Sequence, residues 1–248
     1  MSGTTGLPLQ KVIQALNNFA DKSLAASWDN VGLLIEPSEP KNVSRILLTN
    51  DLTERVMQEA IDHKTDLIER IALKCIENKI ALYSPHTSFD SIRGGVNDWL
   101  AGAFDIKTSV PIEPNSVDAN NGMGRFCTLT SPITDQEAVN LVKRRINLNY
   151  VRLARVHSPD KLIKTVAVCA GSGASVLKNI KADLFVTGEM LHHDILDAVH
   201  NDTVVILTNH SDSERGFLKE FASILHKSLS DSVDINVSKM DTDPLMTV

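Results

Sequence analysis

The sequence predicts an α/β protein whose mostly parallel or mixed sheets are flanked by helices. Two observations predict it: short apolar runs alternate with helical patterns along most of the chain, and most of those runs end in polar, chemically rich turns. A third divides the chain. Residues 107–124 hold prolines, asparagines and glycines without apolar periodicity, so they read as a linker between an N-terminal α/β lobe, 1–106, and a C-terminal one, 125–248.

Taken in order, Val12, Ile13, Leu16 and Phe19 recur at helical spacing, and the Val31 to Ile35 run in SWDNVGLLIEP reads as a short strand. RILLTND is the next strand. Asp51 with Glu54 three residues on resembles a capping box and predicts the start of the following helix. No Gly or Pro separates Ile68 from Glu69, so that helix, starting near Thr53, is free to continue to Asn78 in place of a strand at Asp66-Leu67-Ile68. IALYSPHTSFD supplies a strand and its turn, and GGVNDWLAGAF a helix. Beyond the linker come a helix over Gln136 to Arg145, strands at VRLARV, TVAVCAG, ADLFVTGE and TVVILTNH with helices between the later ones, and a long helix from Glu214.

Bulk properties exclude several function classes. Lys and Arg total 25 against 31 Asp and Glu, without a basic cluster, which disfavours nucleic acid as a partner. No apolar run approaches the roughly 18 residues of a membrane span. Cys75, Cys127 and Cys169 are odd in number and widely spaced, as for buried free thiols, and the opening MSGTTGLPLQ lacks a leader pattern; the cytoplasm is the expected compartment. There is no nucleophile elbow, Walker loop or Cys-x-x-Cys pair.

The chemistry concentrates at strand ends. Ligands of open α/β sheets gather beyond the carboxyl ends of the strands, so SPHTSFD, CAGSG, VTGEMLHHD and TNHSDSE should face one crevice if they share a sheet. His210 and Glu214, four apart at a strand-to-helix junction, are placed to bind one cation; Ser211-x-x-Glu214 equally spells a capping box, with His210 a plain loop residue. His86 and Asp90 repeat the spacing, against an Asx-type turn as the alternative. Glu189 and His193 are the candidates of VTGEMLHHD, unless Thr187 and Glu189 merely cap a helix. Gly171 and Gly173 suggest an anion cradle at a helix start, although the third glycine of a dinucleotide fingerprint is replaced by Val176 and a tight turn explains them as well.

Six motifs in this order, SWDNVGLL, TNDLTE, SPHTSFD, CAGSG, the Thr-Gly-Glu-Met-x-His-His-Asp run and NHSDSERGF, resemble the Ngg-one-interacting-factor-three-like family, whose bacterial relatives are known as GTP cyclohydrolase I type 2 homologues. The resemblance implies two similar lobes with a dinuclear metal cleft between them, and a toroidal homo-oligomer. It makes Asp90, His210 and Glu214 metal ligands and places His86, Glu189 and His193 in the same cleft. One or two divalent ions are the implied cofactor, and hydrolysis, with a nucleotide as substrate, is the implied reaction class. An interaction factor with protein partners and a degraded metal site is the alternative. Two departures bear on this choice. The family's His-Pro loop is missing after Asp66-Leu67-Ile68, and only the linker stands where the family often carries an inserted domain. One ion on Asp90, His210 and Glu214 is therefore better provided for than two.

Overall fold

The computed structural model describes residues 6–39, 41–64, 67–68, 72–156, 158, 161–230 and 232–245. The chain opens with β1 (Leu7–Pro8), α1 (Leu9–Phe19), β2 (Gly32–Ile35), β3 (Asn42–Val43) and β4 (Arg45–Leu48). Next come α2 (Glu54–Asp62), β5 (Leu67–Ile68), α3 (Ala72–Glu77), β6 (Ala81–Ser84), α4 (Thr87–Ser91) and α5 (Val96–Ala101). The middle carries β7 (Ile106–Val110), β8 (Glu113–Pro114), β9 (Gly122–Met123), β10 (Arg125–Ile133), α6 (Asp135–Ile146) and β11 (Arg152–Ala154). It closes with β12 (Ile163–Ser172), α7 (Ala174–Leu177), β13 (Leu184–Glu189), α8 (His192–His200), β14 (Val204–Leu207), α9 (Phe217–Ser228) and β15 (Asp234–Val237).

The chain forms two compact units, residues 1–89 with 218–242, and residues 90–217 with 243–248. Their boundaries differ from the lobes read off the sequence, because the C-terminal segment that includes β15 joins the first unit. In that unit the sheet runs β15-β4-β5-β6-β2, parallel except for the antiparallel edge β6–β2. α1 buries Leu9, Val12, Ile13 and Leu16, the face its helical spacing predicts. Leu47, Val56, Met57, Ala60, Cys75, Ile80 and Leu82 form a core cluster. Burying each Leu, Ile or Val there contributes roughly 1.5–3 kcal/mol.

Two expectations are corrected in this unit. α2 is capped by Thr53, whose hydroxyl accepts from Val56 N–H, and not by Asp51. The helix also does not run on to Asn78: it stops at Asp62, and Leu67–Ile68 pair in parallel with β4 and β6. Sheet pairing of two apolar residues overrides the absence of a local breaker. Residues 69–71, where the family's His-Pro loop would follow, lie outside the described residues.

The second unit holds a mixed sheet, β11-β14-β13-β12-β10-β7, in which β12, β13 and β14 are parallel and the other pairs antiparallel. β13 is buried from Leu184 through Gly188, as a strand covered on both faces should be. Its cluster comprises Ala167, Cys169, Leu177, Ala182, Phe185, Ala198, Val205 and Leu207. The segment 107–124 is part of this unit's structure: β7 pairs with β10, and β8 and β9 form a two-stranded hairpin. Arg125, 2% exposed in its side chain, closes the segment with Nη1 bonds to Gly122 and Gly124 carbonyls. Such side-chain anchoring leaves no signal in apolar periodicity, which is why the stretch reads as a linker.

Candidate metal centre

Parallel register brings the three strand ends together. Cys169 lies opposite Thr187 and Thr187 opposite Leu207, so Gly171, Glu189 and the loop carrying His210 follow at one edge of the second unit. The fourth segment, SPHTSFD, follows β6, which belongs to the other sheet. His86 lies in the first unit and Asp90 in the second.

The loop after β14 owes its shape to a few short-range bonds. Asn209 takes a left-handed conformation, φ 67°, which asparagine tolerates better than most residues, and its amide donates to Asp212. Ser211–Ser213 then form a 3-10 turn, and α9 begins only at Phe217. Glu214 therefore lies between the 3-10 turn and α9, two residues ahead of Gly216. The reading of Glu189 as a cap of α8 is removed, because Leu191 holds that position without a side-chain bond.

Glu189 reaches His210 instead. Its Oε1 lies 2.7 Å from His210 Nδ1, while His210 Nε2 lies 3.5 Å from Glu214 Oε1. An ionised carboxylate only accepts, so Nδ1 carries a proton toward Glu189. In a neutral ring Nε2 then turns its lone pair toward a second carboxylate, the arrangement a bound cation relieves. Gly171 makes room for it. With φ +64°, it sits where a Cβ would come within 2.5 Å of Glu214 Oε1 and 3.0 Å of His210 Nε2. The register between β12 and β13 shifts here, between Cys169 and Ser172, as at bulges that re-aim a strand end.

Negative potential converges on the same edge. The Cys169 thiol is pushed far up first by burial and then by the charges of Asp90, Glu113 and Glu214, with Arg125 opposing. Asn97, fully buried, holds the Asp90 segment to the strand end: its Nδ2 donates to Asp90 O, and its Oδ1 accepts from Ala170 N–H at 2.8 Å. Among the described residues no three His, Cys, Asp or Glu side chains gather as a ready ligand set. His210 and Glu214 stand as an open pair of donor groups within a carboxylate-rich edge.

The remaining candidates are engaged in other contacts. His193 is exposed on α8 and its ring meets that of His192, 5.8 Å away. The amides of Gly171 and Gly173 donate to Ser213 Oγ and Thr187 Oγ1, so the anion cradle loses the two donors it would use. Both glycines serve close packing: a Cβ on Gly173 would meet Thr187 Oγ1 at 2.6 Å. His86 is held by Asp29, whose Oδ2 lies 2.8 Å from Nδ1 and also accepts from Thr87 N–H and Oγ1–H. Sequence reasoning missed Asn97, Ser213 and Asp29; a polar residue within the apolar run Val96, Trp99, Leu100 is the one signal that marks Asn97.

The profile of the Duf34/NIF3 (NGG1p interacting factor 3) family matches residues 7–69 and 65–244. The chain belongs to the NIF3 family. NIF3-like protein 1 of Drosophila melanogaster is 46% identical over 269 residues, covering 100% of this chain and 92% of that protein. NGG1-interacting factor 3 of Saccharomyces cerevisiae is 36% identical, covering 97% of each. The fold is that of NIF3 proteins: a crystal structure of a Bacillus cereus protein related to NIF3 superposes with a TM-score of 0.85 at 19% identity, covering 97% of this chain and 99% of that one. The two matched segments of the NIF3 profile overlap at residues 65–69. Among the described residues no helix is long and apolar enough to cross a membrane.

Proposed function

We propose that this NIF3 protein binds a divalent metal ion at the carboxyl edge of β12, β13 and β14 and hydrolyses a nucleotide there. The observation that carries the reading is the approach of His210 Nε2 to Glu214 Oε1, an imidazole nitrogen and a carboxylate oxygen 3.5 Å apart beside a glycine. His210 and Glu214 would hold the ion, with Asp90 as the carboxylate that the family resemblance adds. When bound, such an ion acts as a Lewis acid and lowers the pKa of water. Glu189 fixes the His210 tautomer, and Asn97 and Ser213 hold the backbone that presents these groups. Elemental analysis of protein purified without chelators tests it: about one divalent ion per chain, lost in His210→Ala/Glu214→Ala, is expected. A folded parent without metal would sink the assignment.

The name of the yeast relative, NGG1-interacting factor 3, favours a second reading, a protein-interaction factor. A folded, metal-free chain that forms a stoichiometric complex with a protein partner would support that reading over hydrolysis.

A further inference from the structure

We propose that Trp28, His86 and Asp29 form a corner of the first unit that binds a planar nitrogen heterocycle of nucleobase type, with the indole stacking on its face and the imidazole bonding its edge. The inference extends the nucleotide part of the reading above and does not depend on the metal.

Trp28 is 74% exposed, in the loop that precedes β2. Its ring centroid lies 6.0 Å from that of His86 at an interplanar angle of 76°, so two aromatic walls meet nearly at right angles. One wall offers a broad π surface and the other a ring nitrogen. Asp29 is 4% exposed in its side chain and accepts from His86 Nδ1, which leaves Nε2 of a 41% exposed imidazole as the nitrogen available to a ligand. Three hydrogen bonds onto Asp29, from Thr87 Oγ1, His86 and Thr87 N–H, outweigh its burial and hold its carboxyl below the usual range.

The corner is also rigid. Thr87 Oγ1 accepts from Ala26 N–H at 2.9 Å and donates to Asp29 Oδ2 at 2.6 Å, which ties the Trp28 loop to the His86 turn. His86 itself sits at φ 34°, a left-handed conformation that strains a non-glycine residue and is kept only where the surroundings enforce it. Such strain is common where a side chain must face a ligand.

A small ring fits this surface better than a protein or a nucleic-acid strand. The residues flanking Trp28, Ser27 and Asn30, are exposed and polar, so the indole is an isolated platform and not part of an apolar patch. The chain's formal charge of −6 opposes a polyphosphate backbone. A heterocycle that stacks and accepts or donates at its rim uses both walls, as single bases do on aromatic side chains.

Equilibrium dialysis with the four ribonucleosides, using the full chain with and without prior chelator treatment, tests the proposal. Expected are saturable binding of at least one nucleoside under both conditions, no competition by ribose 5-phosphate, and about tenfold weaker binding by Trp28→Leu. Trp28→Tyr should keep most of the affinity, and His86→Ala should lose part of it. Trp28 is exposed, so an unchanged thermal midpoint is expected for Trp28→Leu and certifies its fold. Failure of every nucleoside to bind, or binding by Trp28→Leu equal to the parent, overturns the proposal. So does binding that requires metal and is abolished by His210→Ala but not by Trp28→Leu, which would locate the nucleoside at the metal edge. A short single-stranded RNA that binds more than tenfold tighter than its nucleosides overturns the choice of a free base.

Discussion

Gly171 and Glu214 approach so closely that a side chain on the glycine must push the carboxylate aside: a Cβ would stand 2.5 Å from Glu214 Oε1. Gly171→Ala should therefore do two things. It forces a left-handed φ on a residue with a Cβ, at a cost of about 1–2 kcal/mol, and it displaces Glu214 from His210. Thermal unfolding should show modest destabilisation, while metal content falls to the level of the His210→Ala/Glu214→Ala variant. Full metal content in a folded Gly171→Ala protein would show that the glycine does not shape the site.

Glu189 bonds His210 at Nδ1 while Glu214 lies beside Nε2, so the effect of Glu189 on metal is expected to pass through the imidazole. Glu189→Gln keeps the volume and removes the charge that fixes the tautomer. Metal affinity, measured by competition with a chelating dye, should drop by about 10–100-fold without a change in fold. Glu214→Gln, which removes a ligand, should cost more.

Arg125 is buried and engaged on all sides. Nε and Nη2 donate to both oxygens of Asp98 at 2.8 Å, Nη2 also reaches Ile92 O, and Nη1 serves the carbonyls of Gly122 and Gly124. Removing the partner strands a buried cation, so Asp98→Asn should lower stability by about 3–5 kcal/mol in urea titrations. Arg125→Lys should be destabilising too, since an ammonium cannot reproduce the planar fork. A loss below about 1 kcal/mol in Asp98→Asn would mean that the pair is replaceable by water.

Acid should loosen the second unit through Asp183. Burial alone would raise its carboxyl, but bonds from Lys164 N–H and from the Thr165 hydroxyl and N–H, with Lys161 nearby, bring it below its ordinary 3.8. A depressed folded-state pKa means the stabilisation is present above the unfolded value and is lost as pH falls through the folded one. Stability should thus decline below about pH 4, and Asp183→Asn should show a shallower decline than the parent in denaturant midpoints followed against pH. An equal slope in the two proteins would remove Asp183 from the acid response.

Cys75, Cys127 and Cys169 are buried thiols. Burial raises the thiols of Cys127 and Cys169, and the carboxylates near Cys169 raise it further. None of the three should react with a maleimide until the chain is unfolded. Rapid labelling of one thiol in the native protein would point to a local opening.

The sequence by itself determined the fold class, most of the helices and strands of the alternating segments, and the family. These rest on local or near-local signals: the 3.6-residue spacing of Val12, Ile13 and Leu16, the apolar runs that became β4, β6, β12, β13 and β14, and six motifs in a fixed order. It also nominated His210, Glu214 and Glu189, because strand ends of a parallel sheet are where ligands meet. Tertiary structure decided what depends on partners far away along the chain. Leu67–Ile68 became a strand because β4 and β6 flank it, and parts of 107–124 became β7, β8 and β9 because β10, their own pairing and Arg125 hold them. The Glu189 bond to His210, the close packing of Gly171 and Gly173, and the Asp29 bond to His86 across 57 residues were settled in the same way. Periodicity and capping patterns record forces that act within a few residues, whereas hydrogen bonds and steric contacts between distant segments exist only once the chain has folded.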